Sequence, residues 1–197
     1  MMWSSTVRQG VTPAPTGLAL VQDFLNTAGG GRQDRLRDAT AANKWWREAR
    51  AQWAADRGEV VPDTELDDRD AQQLRTLRHE LKQALYGRVT EHGDDHGKPL
   101  ARVATQLDIG TDGSVSARPT GTRSAAVRSA LAVEMMRAQI VDEWRRLKVC
   151  RNTSCEVVFY DRSRNNSGVW HDVLVCGNAA NLRASRARRR PTSTPEG

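Results

Sequence analysis

Between residues 150 and 176 the chain holds its only three cysteines and one of its four histidines, in the order C-x4-C, fifteen residues, H-x4-C. Three cysteines cannot all pair as disulfides, and a tight cluster of this kind reads better as a metal site than as a disulfide framework. The bland alternative is three buried free thiols beside an exposed imidazole, and the paired spacing of four on both sides argues against it. Zinc takes four tetrahedral ligands drawn from thiolate and imidazole. Cys150, Cys155, His171 and Cys176 are therefore expected to hold one Zn2+. Four protein ligands leave no open coordination position, which makes the ion structural rather than catalytic. A segment of about forty residues with few large apolar side chains needs such a clamp to fold.

The segment between the ligands fits that purpose. Glu156-Val157-Val158-Phe159-Tyr160-Asp161 is rich in strand formers, and Asn165, Asn166, Ser167 and Gly168 supply turn residues, so a hairpin is expected to return the chain to the metal. Cys176 is expected to open a helix that carries Arg183, Arg186, Arg188, Arg189 and Arg190 and ends at Pro191. On that helix Arg183, Arg186 and Arg190 share a face, with Leu182 pointing away.

Charge is segregated toward the same end. Residues 148–190 carry nine basic side chains against three acidic ones, which accounts for the whole net charge of +6. The preceding 147 residues are nearly neutral, with 21 basic and 20 acidic groups. Concentrated arginine attracts phosphate and reads guanine edges bidentately. A membrane-surface helix needs a bulky apolar face, which Leu182 alone does not supply. Arg162 and Arg164 either extend the positive surface or, in the case of Arg164, brace the finger from within.

Upstream the pattern is mainly helical. Residues 1–16, polar and interrupted by Pro13 and Pro15, read as a disordered leader. Leu18, Val21, Phe24 and Leu25 share a helical face before Gly29-Gly30-Gly31 breaks it. Thr40 is a candidate cap for a helix to about Ala55 with Trp45, Ala49 and Trp53 on one side. A long helix over 66–91 carries Leu74, Leu77, Leu81, Leu85 and Val89 as a stripe. Asp112-Gly113 marks a hairpin between 101–109 and 114–118. A last helix over 123–147 is expected to bury Ala126, Ala130, Val133, Met136, Ile140 and Trp144. His79, His92 and His96 lack a partner ligand at suitable spacing and are expected to be solvent-facing.

The string C-x4-C, Phe159-Tyr160-Asp161, Ser163-Arg164-Asn165, Ser167, Trp170, Cys176-Gly177-Asn178 resembles the CGNR zinc-finger family over about residues 147–190. Leu18–Thr27, ending Phe24-Leu25-Asn26-Thr27, resembles the opening of the ABATE domain that precedes such fingers in bacterial stress-induced transcription regulators. Two positions depart from the family pattern. His171 stands where a cysteine is usual, which gives the site a formal charge of −1 instead of −2 and keeps an accepted zinc ligand. Ala179 replaces the arginine of the signature.

The expected architecture is α+β: a leader over 1–16, a mainly helical ABATE-like domain with a small β-hairpin over 17–146, a small treble-clef-like zinc finger ending in a basic helix over 147–190, and a disordered tail over 191–197. The expected function is regulatory DNA binding, with an N-terminal sensor or dimerisation domain. Asp23, Asn26 and Thr27 are candidate contacts for a small-molecule effector, and a homodimer suits symmetric DNA sites. Zinc-stabilised binding to a protein or to RNA is the competing reading. Tyr160 and Trp170 are the aromatic candidates for base stacking. No nucleophile–base pair or carboxylate constellation emerges, so catalysis is not expected. With neither a signal peptide nor a bilayer-length apolar run, a cytoplasmic location is the default.

Overall fold

A computed structural model describes residues 3–58, 63–87 and 99–179. The arginine-bearing helix expected after Cys176, with Arg183, Arg186, Arg188, Arg189 and Arg190, lies outside the described residues, as do Val89, His92, His96 and the 191–197 tail.

The element order is α1 (Ser4–Val7), α2 (Leu18–Leu25), α3 (Ala39–Arg57), α4 (Asp68–Gly87), β1 (Thr105–Ile109), β2 (Val115–Pro119), α5 (Arg123–Ile140), a 3-10 turn (Trp144–Arg146), β3 (Leu147–Val149), β4 (Val158–Tyr160) and a π-helical turn (Val173–Gly177). Helices and two small antiparallel hairpins, β1–β2 and β3–β4, make up the α+β fold.

Helix α2 is buried along its entire length, because the other elements close around it. Its polar residues are consequently each given internal partners, as burial of an unpaired polar group is costly. Helix α3 starts at Asp38, whose side chain accepts from the Ala41 amide at 2.7 Å, two residues earlier than Thr40 would place it. It ends at Gly58, which adopts the left-handed conformation (φ +66°) of a helix C-terminal stop. Trp45, Trp46 and Trp53 are all fully buried. Trp45 packs tilted against Phe24, with ring centroids 5.7 Å apart, and its indole donates to Asp23 at 3.0 Å. The Trp53 indole donates to the buried Glu134 carboxylate, which Arg57 and Arg137 also hold. Gly17 is required beside that cluster, since a Cβ there would overlap the Glu134 carboxylate.

Three expectations are corrected. Residues 3–16 pack as part of the body: Trp3 and Ala14 are buried, the Thr6 amide donates to Asp23 at 2.8 Å, and the Ala14 amide donates to Gln22. Polar composition and two prolines misled because this strap holds only the one short turn of α1 and is otherwise tied down by side chains of α2. Helix α5 ends at Ile140, short of residue 147. Asp142, at φ +59°, turns the chain so that Trp144–Arg146 can feed β3. Met136 and Ile140 are exposed, while Val127, Ala130, Leu131 and Val133 carry the buried face.

The β1–β2 hairpin pairs Ile109 with Val115 around a five-residue loop in which Gly113 takes φ +79°. Strand β1 begins at Thr105, four residues later than expected. His79 is exposed, as expected. Among the described residues, no helix is long and apolar enough to cross a membrane.

The second hairpin matters most for the site. Leu147 and Val149 of β3 and Val158 of β4 belong to the same apolar core as the tryptophans. That core therefore runs across the boundary expected near residue 147.

Candidate metal centre

The site is built on the turn between β3 and β4. Val149 pairs with Val158, so Cys150 leaves the hairpin as its first unpaired residue, and the chain then loops through Cys155 before rejoining β4. The Cys150 amide donates to the Val157 carbonyl and the Cys155 amide to the Asn152 carbonyl, each at 2.8 Å, which closes the loop. Glu156 takes φ +56°, a left-handed turn that brings the Cys155 side chain back toward Cys150.

The other two ligands come from the returning chain. The Arg151 amide donates to the Val169 carbonyl at 3.0 Å, fixing the strand-like run that carries Trp170 and His171. Asp172 then caps the π-helical turn by accepting from the Val175 amide at 2.9 Å, and Cys176 lies near the end of that turn. The expectation that Cys176 would open a helix is thus corrected: the helical turn starts at Val173, because Asp172 is a strong capping residue.

The four ligand atoms of Cys150, Cys155, His171 and Cys176 lie within 4.8 Å of one another, and the three cysteines are buried. His171 presents Nδ1, 3.3 Å from the Cys155 sulfur and 3.5 Å from the Cys176 sulfur. A tetrahedron with Zn–S near 2.3 Å and Zn–N near 2.0 Å places sulfurs about 3.8 Å apart and nitrogen about 3.5 Å from each sulfur. The residues therefore fit one tetrahedral ion, and their arrangement suits structural zinc.

The surroundings are those of a thiolate site. The amides of Asn152 and His171 point at the Cys150 sulfur, and the Asn152 side-chain amide donates to the Cys176 sulfur at 3.3 Å. Such donors stabilise thiolate and orient it toward a cation. Hydrogen bonding from Cys155 holds the Cys150 thiol down to about 4. The same contact pushes the Cys155 thiol up, and burial pushes Cys176 up. A cation among the three sulfurs would favour the thiolate form of each.

Asn152 escaped the sequence reading. Its Oδ1 also accepts from the Ser154 hydroxyl at 2.9 Å, and Asn-x-Ser inside C-x4-C is the turn signal that would have revealed it.

A second brace lies beneath the finger. Asp161, buried, accepts from Lys148 Nζ at 2.7 Å and from the Ser163 and Gly168 amides at 2.9 and 2.7 Å. Despite the opposing cost of burial, these donors hold its carboxyl well below the usual carboxylate range. Gly168 has no room for a Cβ against that carboxylate, and Gly177 lies under the Trp170 ring at a distance that a Cβ would crowd. These contacts give physical reasons for Asp161, Ser163, Trp170 and Gly177 within the motif and for Gly168 in the turn beside Ser167.

The finger is docked on the helical body by polar contacts as well as by the shared core. The Gly30 amide donates to the Cys155 carbonyl at 2.8 Å. Lys82, buried, donates to the carbonyls of Ala28 and Glu156 at 2.8 and 3.0 Å. Its burial pushes the ammonium down to about 8.

The remaining sequence candidates divide sharply. Arg164 is exposed and makes no hydrogen bond among the described residues, so its charge faces solvent. Arg162 is exposed too, but its guanidinium lies 5.3 Å over the Tyr160 ring and donates to the Pro13 carbonyl at 2.8 Å. Tyr160 and Trp170 are half-buried and occupied by these internal contacts, which removes them as free stacking platforms. Asp23, Asn26 and Thr27 are at most 1 % exposed and line neither of the two described cavities. Asp23 holds Thr6 and Trp45, Asn26 holds Val158, and Thr27 bridges Phe24 and Arg78. They are internal braces, and the effector contact expected there is corrected.

Compared with curated proteins, the chain matches none. Residues 146–189, which contain all four metal ligands, match the model of the CGNR zinc finger family.

Proposed function

We propose that this protein is a DNA-binding transcription regulator whose zinc-clamped finger presents the arginine-rich segment 183–190 to duplex DNA. The observation that carries this reading is the convergence of four metal ligands a few residues before that segment. A closed, four-ligand ion fixes where the chain departs, and arginine so placed suits phosphate and guanine edges. Exposed Arg164, on the same finger, adds to the positive surface. Four protein ligands leave this ion no open coordination position, which supports a structural rather than a catalytic role for it. The helical body would serve sensing or dimerisation. Exposed Leu107, Ile109 and Val115 on the β1–β2 hairpin are the residues suited to a homodimer contact.

Fluorescence anisotropy with labelled duplex DNA tests the reading. Reversing Arg183, Arg186 and Arg190 to Glu is expected to abolish binding, and the wild-type log–log salt slope should be about −5, as for five or six neutralised phosphates. Unchanged binding by the reversed variant, or a slope near zero, would overturn it.

One observation favours a second reading as a protein-interaction module. Val173, Leu174 and Val175 stand 67, 78 and 64 % exposed beside Cys176, an apolar run that suits a partner surface. A partner complex that excludes DNA and that Leu174→Ser weakens would favour this second reading over the first.

A further inference from the structure

The two edges of the β1–β2 hairpin are unlike. Its loop closes with the Gly110 amide donating to the Ser114 carbonyl at 2.8 Å, which makes that pair a hydrogen-bonded one. Bonded and unbonded pairs alternate from there, so Asp108 with Ser116 and Gln106 with Arg118 carry the ladder bonds. Thr105, Leu107 and Ile109 occupy the pairs between, and their amides and carbonyls point away from β2. Strand β1 has β2 as its neighbour in a two-stranded sheet, and among the described residues nothing bonds to those outward groups.

The edge of β2 is shielded instead. The Ala117 carbonyl accepts from Arg137 of α5 at 3.0 Å, and Pro119 has no amide to offer. Ser129 of α5 holds the base of the hairpin, accepting from the Thr120 amide at 3.0 Å and donating to the Ala104 carbonyl at 2.7 Å. Helix α5 thus attends to β2 and leaves β1 open. Strand β1 also lacks the usual devices that spoil an edge, since neither proline, lysine nor bulge interrupts its paired residues. Directly opposed residues share a face, so Leu107, Ile109 and Val115 lie on the face of buried Ala117, yet all three are exposed. A two-stranded ribbon is marginal alone and gains from further strands.

We propose that β1 pairs antiparallel with β1 of a second copy of this chain, giving one four-stranded sheet across a two-fold axis. The pairing rests on the dimerisation role given above to the helical body and is independent of DNA binding by the arginines. One register satisfies backbone and charge together. With Leu107 on the axis, Leu107 faces Leu107 and Thr105 faces Ile109 of the second copy, which adds about six main-chain hydrogen bonds. Gln106 then lies opposite Asp108, an amide beside a carboxylate. Placing Asp108 on the axis would set two like charges face to face, and placing Gln106 there would leave Ile109 opposite residue 103, outside the strand. Strand β1 is therefore complementary to itself, which favours a second copy over a strand of another protein. The axis stands perpendicular to the sheet, so the exposed apolar side chains of both copies join on one face. Net charge does not oppose the approach, because the 147 residues before the finger carry 21 basic and 20 acidic groups.

Sedimentation velocity of the zinc-loaded full chain across the micromolar range, with residue-resolved amide exchange at both ends of that range, tests the pairing. A dimer is expected, with exchange at Thr105, Leu107 and Ile109 slowing about tenfold as concentration rises and with Gln106 and Asp108, already in the ladder, changing least. Leu107→Lys seats two like charges on the axis and should raise the dimer dissociation constant at least about tenfold. Leu107→Pro removes an outward amide that the β1–β2 ladder does not use. It should do the same, with the circular dichroism spectrum unchanged. Leu174→Ser, at an exposed apolar position on the finger, should dimerise as wild type. A dimer unaffected by both Leu107 variants overturns this pairing and leaves dimerisation to another face. A chain that stays monomeric throughout overturns the pairing and the dimerisation role together, and leaves the open edge to a strand of another protein.

Discussion

Asn26 and Val158, 132 positions apart, clasp each other through a closed pair of hydrogen bonds: the Asn26 side-chain amide donates to the Val158 carbonyl at 2.8 Å and the Val158 amide donates to Asn26 Oδ1 at 2.9 Å. Asn26 thereby imitates a backbone strand partner for β4. Both backbone groups are buried, and no other residue type offers a donor and an acceptor in that geometry except glutamine, which is too long.

Asn26→Ala should therefore destabilise the protein by about 1–3 kcal/mol, since the buried Val158 amide loses its partner and the carbonyl keeps only the longer bond from Gln22 at 3.3 Å. Urea denaturation of the zinc-loaded protein would measure it. A loss below about 0.5 kcal/mol would mean that the clasp carries no weight.

The tetrahedral reading of the site makes a spectroscopic prediction. Cobalt-substituted protein should show thiolate-to-metal charge transfer and the intense visible bands of a four-coordinate ion. His171→Cys should retain one metal per chain with altered bands, because sulfur replaces nitrogen in an otherwise intact set. His171→Ala should bind metal more weakly and leave a position open to water. Metal content that is unchanged in Cys150→Ser or Cys176→Ser would contradict the assignment.

Asp161 supplies a pH signature. Its pKa in the folded state lies below the ordinary value of 3.8, so the folded protein favours the carboxylate. The stability it contributes is fully present above the ordinary value and is lost as pH falls from there through the folded-state value. In Asp161→Asn that part of the acid-side slope should disappear, and stability at neutral pH should drop by about 3 kcal/mol as Lys148 loses its partner. Denaturation midpoints followed from pH 7 down to about pH 2 would show both effects.

Helix α5 offers a paired test of burial. Leu131→Ala should cost about 2–5 kcal/mol, as for other fully buried leucines. Ile140→Ser, at a position 75 % exposed, should change stability by no more than about 0.5 kcal/mol. Thermal melts of the two variants would separate the observed helix from the longer one that periodicity alone suggests.

The metal ligands were legible in the sequence because ligand spacing is a local property: four side chains in one short window need only a turn to meet. The hairpin at Asp112-Gly113, the tryptophan-bearing helix and the long leucine-striped helix were legible for the same reason. What escaped was set by contacts across the chain. Asn26 and Thr27 looked like effector contacts beside an apolar stretch, and only the packing around α2 reveals them as internal braces. The strap over residues 3–16 looked unstructured because α1 is a single short turn and the strap is tied to the body by side chains of α2, which leave no periodic trace. The end of α5 was missed because Ile140 and Trp144 continue a helical period past the point where Asp142 turns the chain.

The core shared by Leu147, Val149 and Val158 with the buried tryptophans has a consequence for how this molecule responds to scarcity. The finger cannot be cut away and grafted elsewhere, because its own hairpin is one wall of the helical body. Losing the ion frees the loop that β3 and β4 support and undermines that wall, so metal starvation should be felt as far away as the indoles of α3. With Trp170 beside the ligands replaced by Phe, the fluorescence of the α3 indoles would then act as a gauge of zinc supply, read from a part of the chain that never touches the ion.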